Sequence, residues 1–323
     1  MQPRLLDLLV CPECRQRFTL EDPVEADGGA IESATLLCGT GHAFPVVAGI
    51  PRLLGKNSPR DLDRVRDSFS LEWTHHQPGD RTWHLDLEMR VRTTFVDVLG
   101  IAPEELRTKT VLDAGCGNGS QSVAFTEFVH EVIAIDLSTG LELGNRFRTR
   151  WQQGRADAVH FVQADVSRPP LPRRSVDVVY SFGVLHHTPD TRAGFDALVP
   201  LLRPGGTCYV WVYRYEPFWT PLIRLIRTVT TRVPVDLFNR IAPVLAWPFL
   251  LFTTVLDISG IRSYPRISRR EAALALMDIF AAPYAHHHSQ EEVRGWFDAA
   301  GFTDVRECNQ ARRGFGMVGR LAP

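Results

Sequence analysis

The residues best equipped for chemistry lie in the middle of the chain, in Val111-Leu-Asp113-Ala-Gly115-Cys-Gly117-Asn-Gly119. An apolar strand ends in a carboxylate, and glycines at alternate positions then let the backbone pass close to a ligand before a helix begins. A second apolar run, Val132-Ile-Ala-Ile-Asp136, ends in another acid 23 residues after the first. A carboxylate there accepts hydrogen bonds from the two hydroxyls of a ribose lying across a parallel sheet. Dinucleotide sites use the same logic but favour G-x-G-x-x-G, because a pyrophosphate must sit on the helix N-terminus. Here the third glycine comes one residue early, and Asp113 would set negative charge against the pyrophosphate. The pattern favours a nucleoside carrying a cationic group near Asp113.

A second constellation is Cys11-Pro-Glu-Cys14 with Cys38-Gly-Thr-Gly-His42, two pairs separated by 23 residues. Zinc takes four such ligands in a tetrahedron, and a closed set of four makes it structural. The alternative, a redox C-x-x-C beside an unrelated cysteine and histidine, lacks the strand-to-helix setting of a thioredoxin-like unit. Six cysteines, three of them near the start, fit a metal site in a reducing compartment better than a disulfide framework. The third set is histidine: His186-His187 just past the fourth strand of the central region, and Tyr284-Ala-His286-His-His288 before the last helix. Histidine is the side chain best tuned as a general base near neutral pH, which makes His187 and His288 the candidate catalytic residues. The plainer alternative is a loop histidine bonded to backbone. A second metal at the triple histidine is disfavoured, because neighbouring residues on a strand point to opposite faces.

These side chains need a sheet to hold them. Short apolar strands at Thr110–Asp113, Glu131–Asp136, His160–Ala164, Ser175–Ser181 and Thr207–Tyr213 alternate with helices, the pattern of a parallel sheet covered on both faces. Pro204-Gly-Gly206 stops the helix before the fifth strand. Two further strands fall near Asp304–Cys308 and Phe315–Val318, and Ser289-Gln-Glu-Glu292 reads as a capping box. Upstream, Leu85, Met89, Val96 and Leu99 share one helical face. The chain divides into a cysteine module (1–55), a helical linker or cover (56–105), the αβ domain (106–215 and 265–323) and an apolar insertion (216–264).

Further matches accumulate in Gln163-Ala-Asp165-Val166, in Val178-Val-Tyr-Ser-Phe-Gly-Val-Leu-His-His187-Thr-Pro-Asp190 and in Leu202-Arg-Pro-Gly-Gly206. Together with the glycine run they resemble the class I S-adenosylmethionine-dependent methyltransferases, in the branch of quinone and small-molecule enzymes. The resemblance covers about residues 60–215 and 285–320. It implies an α/β fold with a Rossmann-like seven-stranded sheet, and S-adenosyl-L-methionine as cofactor. It also implies that Asp113 and Gly115 hold the methionine end, with Gly117 passing beneath it. Asp136 and Leu137 would bind the ribose and flank the adenine, and Asp165 would accept from the adenine amino group while Val166 packs on the ring. Ser181 and Phe182 would line the strand end beside the reacting methyl. Trp73, in the preceding segment, covers the sulfonium by a cation–π contact or packs as an ordinary core residue. A double histidine after the fourth strand occurs in methyltransferases of different chemistry, so it does not by itself identify a base.

The N-terminal stretch is similar to the zinc-ribbon activators that partner tRNA and protein methyltransferases. The likeness rests on Leu5-Leu-Asp-Leu-Leu-Val-Cys-Pro-Glu-Cys14 and Phe44-Pro-Val-Val-Ala-Gly-Ile-Pro51. His42 departs from the cysteine usual there, although a Cys-Cys-Cys-His set also resembles the ribbon of rRNA guanine methyltransferases. The ribbon raises an RNA substrate as the alternative to a small-molecule acceptor. A cofactor-binding partner protein without turnover is the non-enzymatic alternative.

With 36 lysines and arginines against 37 acids, no global field draws in nucleic acid or an anionic membrane, and such a contact would need a local patch. The N-terminal apolar run is broken by Asp7 and too short for a signal sequence, so the expectation is a cytoplasmic protein. Within the insertion, Ile241–Asp257 is nearly long enough to span a bilayer, but Pro243 and Pro248 interrupt it. A pair of helices forming a lid over the substrate cleft is the preferred reading. Its apolarity suggests a hydrophobic, lipid-linked or sugar-linked acceptor, peripheral membrane contact through 217–257, or a homodimer interface.

Overall fold

The computed structural model describes the chain except residues 27, 56–59, 75–85, 152–153, 261–266 and 312, and the side chains of 60 and 309–311. Eleven strands form one mixed sheet: β1 (Phe18–Glu25), β2 (Ile31–Cys38), β3 (Ala43–Val47), β4 (Ile50–Leu53), β5 (Thr110–Ala114), β6 (Glu131–Asp136), β7 (Val159–Ala164), β8 (Val176–Phe182), β9 (Leu202–Tyr213), β10 (Phe302–Ala311) and β11 (Gly314–Leu321). Their order is β1-β2-β3-β4-β7-β6-β5-β8-β9-β11-β10. Strands β7-β6-β5-β8-β9 run parallel, and β11 enters antiparallel beside β9. The seven strands from β7 to β10 are the expected sheet. The other four correct that expectation: β4 pairs parallel with the edge of β7, Arg52 beside Gln163 and Leu53 beside Ala164, so the N-terminal module continues the sheet.

Alternation along the strands builds two cores, because successive side chains point to opposite faces. Leu112, Ile133, Val162 and Val179 pack with Phe195, Val293 and Phe297 of the helices Thr191–Leu198 and Gln290–Ala299. Val111, Val132, Phe161 and Val178 pack on the other face with Phe95, Phe125 and Leu141. Phe95 and Phe125 stack at 3.8 Å between ring centres, with the Tyr180 ring edge-on to both.

Three local expectations need correction. The buried stripe upstream is Leu87, Val91, Phe95, Val98 and Leu99, whereas Met89 is exposed and Leu85 lies outside the described residues. A π-helical turn over Arg92–Val96 lets the stripe recur every four residues, and Arg90 is buried on the same face as Leu87 and Val91. Strand β9 begins at Leu202, not Thr207, and a register shift between Val176 and Val178 absorbs Pro204-Gly205-Gly206 at its start. Ser289 does cap the Gln290–Ala299 helix, but the Glu292 carboxylate turns to His288, so the reciprocal half of the box is missing. The complete box is Ser268 with Glu271, ahead of the helix Arg269–Phe280.

The insertion folds as two helices, Trp219–Thr230 and Val235–Ile258. The longer one buries Phe238, Ala242 and Ala246 against Ala272, Ala273, Leu276 and Met277 of the Arg269–Phe280 helix. Leu71, from the helix Arg60–Thr74, packs on the same cluster.

Candidate functional site

The parallel strands deliver their carboxyl ends to one edge, where strand order reverses between β5 and β8, the place at which such sheets offer a crevice to a ligand. Asp113 near the end of β5 is 3% exposed, and Ser122 Oγ donates to its Oδ2 at 2.6 Å. Burial, reinforced by the neighbouring Asp136 and opposed by Ser122 and Arg90, pushes the Asp113 carboxyl up to about 7. Arg90 is itself buried; its Nη2 keeps a long 3.4 Å bond to Ser120 Oγ, and its Nε has no hydrogen-bond partner among the described residues. Burial pushes the guanidinium down to about 10, which leaves it charged at neutral pH.

Asp136 ends β6 on the other side of the glycine turn. Gly117 N donates to its Oδ2 at 2.7 Å, and Ser138 N and Oγ donate to Oδ1 at 2.8 and 2.6 Å. Burial raises its pKa against the pull of these three donors. The turn itself needs glycine. Gly115 has φ +93°, where a Cβ would stand 2.2 Å from Val184, and Gly117 has φ +57°, where it would stand 2.4 Å from the Trp73 indole. Trp73 also lies against Gly140, so its ring packs between the glycine turn after β5 and the turn after β6.

The other residues singled out from sequence fall along the same edge. The Leu137 carbonyl accepts from Gln163 Nε2 at 3.0 Å, Asp165 Oδ1 caps Ser167 N at 2.8 Å, and Val166 is buried beside it. Ser181 Oγ donates to the Ala114 carbonyl at 2.9 Å, tying β8 to the end of β5. Phe182, the last residue of β8, stacks on Trp211 of β9 at 5.1 Å, giving an aromatic wall at the strand ends.

The two histidines named as bases are held by the protein. His187 Nδ1 lies 2.8 Å from the Tyr284 carbonyl, and Nε2 lies 3.1 Å from Asp278 Oδ1, close enough for an ion pair though off the line of a hydrogen bond. His288 Nδ1 faces Glu292 at 2.9 Å and Nε2 faces Thr191 Oγ1 at 3.0 Å. Sequence reasoning missed the acids around His187. Tyr213 donates to Asp278, and the Phe69 ring meets the His187 ring edge-on at 5.0 Å. Burial tends to raise the Asp278 carboxyl, but His187 and Tyr213 bring it below its ordinary value. Glu72, buried on the Arg60–Thr74 helix, is driven well above its ordinary value by burial and by the neighbouring Asp278. The available signals were an acid inside the apolar Leu276-Met-Asp-Ile-Phe280 and a charge at Arg90 within a buried helical stripe.

In the N-terminal module, the donor atoms of Cys11, Cys14, Cys38 and His42 all lie within 4.8 Å of one another. Cys11 Sγ and Cys38 Sγ stand 3.6 and 3.4 Å from His42 Nδ1, and Cys14 Sγ stands 3.5 Å from Cys38 Sγ. A tetrahedral ion with metal–sulfur bonds of about 2.3 Å and metal–nitrogen bonds of about 2.0 Å needs donor separations of roughly 3.5–3.8 Å. The cluster fits such an ion. Its first knuckle is anchored to the loop after β7: Arg15, at φ +64°, donates to the carbonyls of Pro169 and Leu171, and Val10 N donates to Pro170 O at 3.0 Å.

Comparison with known proteins bears on the central region first, where the family profile described as a methyltransferase domain matches residues 112–210. Demethylmenaquinone methyltransferase of Clavibacter sepedonicus is 31% identical over 252 residues, spanning 77% of this chain and 83% of that protein. The chain belongs to the S-adenosylmethionine-dependent methyltransferases. An uncharacterised methyltransferase of Mycobacterium tuberculosis is 30% identical over 145 residues, 45% of this chain, and the chain spans 65% of its length. Among solved structures, magnesium protoporphyrin IX methyltransferase from Synechocystis PCC 6803 with bound SAM aligns at 14% identity, covering 83% of this chain and 100% of that one, with a TM-score of 0.48. In this methyltransferase, Asp113 and Asp136 flank the glycine turn from the ends of adjacent strands.

Proposed function

We propose that the chain transfers the methyl group of S-adenosylmethionine to a small, apolar acceptor, with a structural zinc ion in its N-terminal module. The observation that carries this reading is the buried group of Arg90, Asp113 and Asp136 gathered around the glycine turn at the carboxyl ends of β5 and β6. Asp113 holds the methionine amine, Arg90 the methionine carboxylate and Asp136 the ribose hydroxyls, while Leu137, Asp165 and Val166 take the adenine. The cofactor supplies an activated methyl on sulfur, so the protein's part is to align the acceptor and move its proton. Phe69, Phe182, Trp211 and Tyr213 offer an apolar wall, in keeping with a relative named for demethylmenaquinone.

The acid–base device is the group formed by Tyr213, Asp278, His187 and Glu72. Asp278 accepts from Tyr213 and lies against His187, whose other nitrogen is tied to Tyr284, so His187 is a positioning residue for Asp278 rather than a free base. His288 pairs with Arg214 just past β9 and joins the Thr191–Leu198 helix, through Thr191, to the last helix, through Glu292. The helix Arg60–Thr74 brings Phe69, Glu72 and Trp73 over the crevice, and the insertion acts as a lid by backing that helix. Zinc takes Cys11, Cys14, Cys38 and His42 and leaves no open position. An RNA substrate draws no support from the relatives.

Calorimetry with S-adenosylhomocysteine tests the placement. Asp136→Ala should weaken binding by about 1–3 kcal/mol through lost charge-assisted hydrogen bonds, with circular dichroism unchanged. Unaltered affinity would overturn the ribose assignment. Transfer of labelled methyl from the cofactor to RNA, and not to a lipid or small-molecule fraction, would overturn the acceptor class.

A further inference from the structure

The largest feature that methyl transfer leaves unused is the outer face of the insertion. Phe218 (71% exposed), Leu225 (67%), Val229 (65%), Trp247 (62%), Leu251 (68%) and Ile258 (81%) all stand in solvent. The two helices present one surface, because Trp219 of the first meets Phe252 of the second at 6.2 Å between ring centres. From Ile241 to Leu256 the second helix carries no charged residue, and it is long and apolar enough to cross a membrane. Lone exposed apolar side chains are ordinary on a soluble protein, but a continuous patch of this extent marks a contact surface.

We propose that this surface is a membrane-attachment face, with both helices lying in the plane of an anionic bilayer. Protein–protein interfaces as a whole are about as apolar as the rest of a protein's surface. An uncharged stretch of 16 residues, Ile241–Leu256, is apolar enough for hydrocarbon instead. The helix lies on the bilayer and does not span it. Its buried stripe, Phe238, Ala242, Ala246 and Leu256, is covered along the length of the helix by the body of the protein, and spanning would strip that packing away. Charge points to the leaflet. Along the two helices and the turn between them the exposed charges are Arg224, Arg232 and Arg240 against Asp236 and Asp257, with Arg269 added at Trp247 and with Asp63 and Asp67 set beside Asp236 at the near end. Arg269 lies over the Trp247 ring at 5.5 Å, an aromatic–basic pairing suited to the headgroup level. The same helix touches Leu71, one residue from Glu72 and two from Trp73, so attachment would set the cover of the crevice at the bilayer. The inference rests on this surface alone and stands or falls separately from the methyl-transfer reading.

Flotation of the full chain through a density gradient tests it, using phosphatidylcholine vesicles with and without phosphatidylglycerol. The wild type should float with the anionic vesicles. Leu225→Glu/Leu251→Glu should stay at the bottom while keeping its unfolding midpoint and its affinity for S-adenosylhomocysteine. Each exposed leucine contributes roughly tenfold to partition, so the floated fraction should fall by at least about that factor. A wild type that fails to float with either vesicle would overturn the proposal. So would a dimer in analytical ultracentrifugation that the same double variant abolishes, because the face would then be a subunit interface.

Discussion

In the role proposed for it, Asp113 stands between two demands. Holding a cationic amine requires the carboxylate, while burial favours the neutral acid and places its pKa at about 7. Cofactor affinity should therefore weaken by about tenfold between about pH 8 and about pH 6, as the ionised fraction falls to roughly a tenth. Folding responds in the opposite sense. A carboxyl raised from 3.8 to about 7 on folding contributes stability that is fully present below pH 3.8 and is lost as pH rises through about 7. Calorimetric titrations of S-adenosylhomocysteine across this range check the first effect, with Asp113→Asn as the comparison that should be weak and flat. A wild-type affinity independent of pH would remove Asp113 from the amine. This residue was legible in the sequence because an acid at the end of an apolar run can only sit at a strand end. Glu72 and Asp278 were not, because two helices far apart in the chain bring them together. Their meaning is the burial they share, and no local pattern records that.

Helix caps show which part of element formation is local. Ser268 accepts from Glu271 N at 3.2 Å, and the Glu271 carboxylate returns to Ser268 N at 2.8 Å. At Ser289 the same four-residue spacing yields only half of the motif, because His288 Nδ1 competes for Glu292 at 2.9 Å. A neighbour that the spacing does not count decides the outcome. Ser268→Ala should accordingly cost about 1 kcal/mol of stability, read as a lower urea midpoint at unchanged slope. No change in midpoint would mean the box is idle. The strands were legible from their apolar runs, but the first turn of β9 was not, because Pro204-Gly205-Gly206 breaks regular pairing and is tolerated only where the register slips. The π turn at Arg92–Val96 was equally hidden: one extra residue in the turn keeps Phe95 and Leu99 on the face of Leu87 and Val91, a four-residue repeat, without altering composition.

At the scale of the molecule, the N-terminal module is an edge of the main sheet rather than an appended bead. Its four-residue strand β4 was too short to announce itself, yet Arg52 bonds Gln163 at 3.2 Å and pairs with Glu142 at 2.8 Å, fixing β4 to β7 and the helix Leu141–Phe147. The knuckle carrying Cys11 and Cys14 hangs on Pro169, Pro170 and Leu171 through Arg15 and Val10, and the same loop begins with Asp165 and Val166. A metal ion held by the four donors would therefore brace the Asp165–Leu171 loop, to which the adenine is assigned in our proposal, as well as its own turns, since metal affinity and folding free energy are linked wherever ligands come together only on folding. Removing the metal with a chelator should lower the single thermal transition of the whole chain and raise hydrogen exchange at residues 165–171, leaving β8 and β9 protected. Cofactor affinity should fall with it, and zinc should restore all three. If chelation melted the first 55 residues in a separate step, with the loop and the affinity untouched, the module would be an independent domain and the clamp through Arg15 would carry no energy.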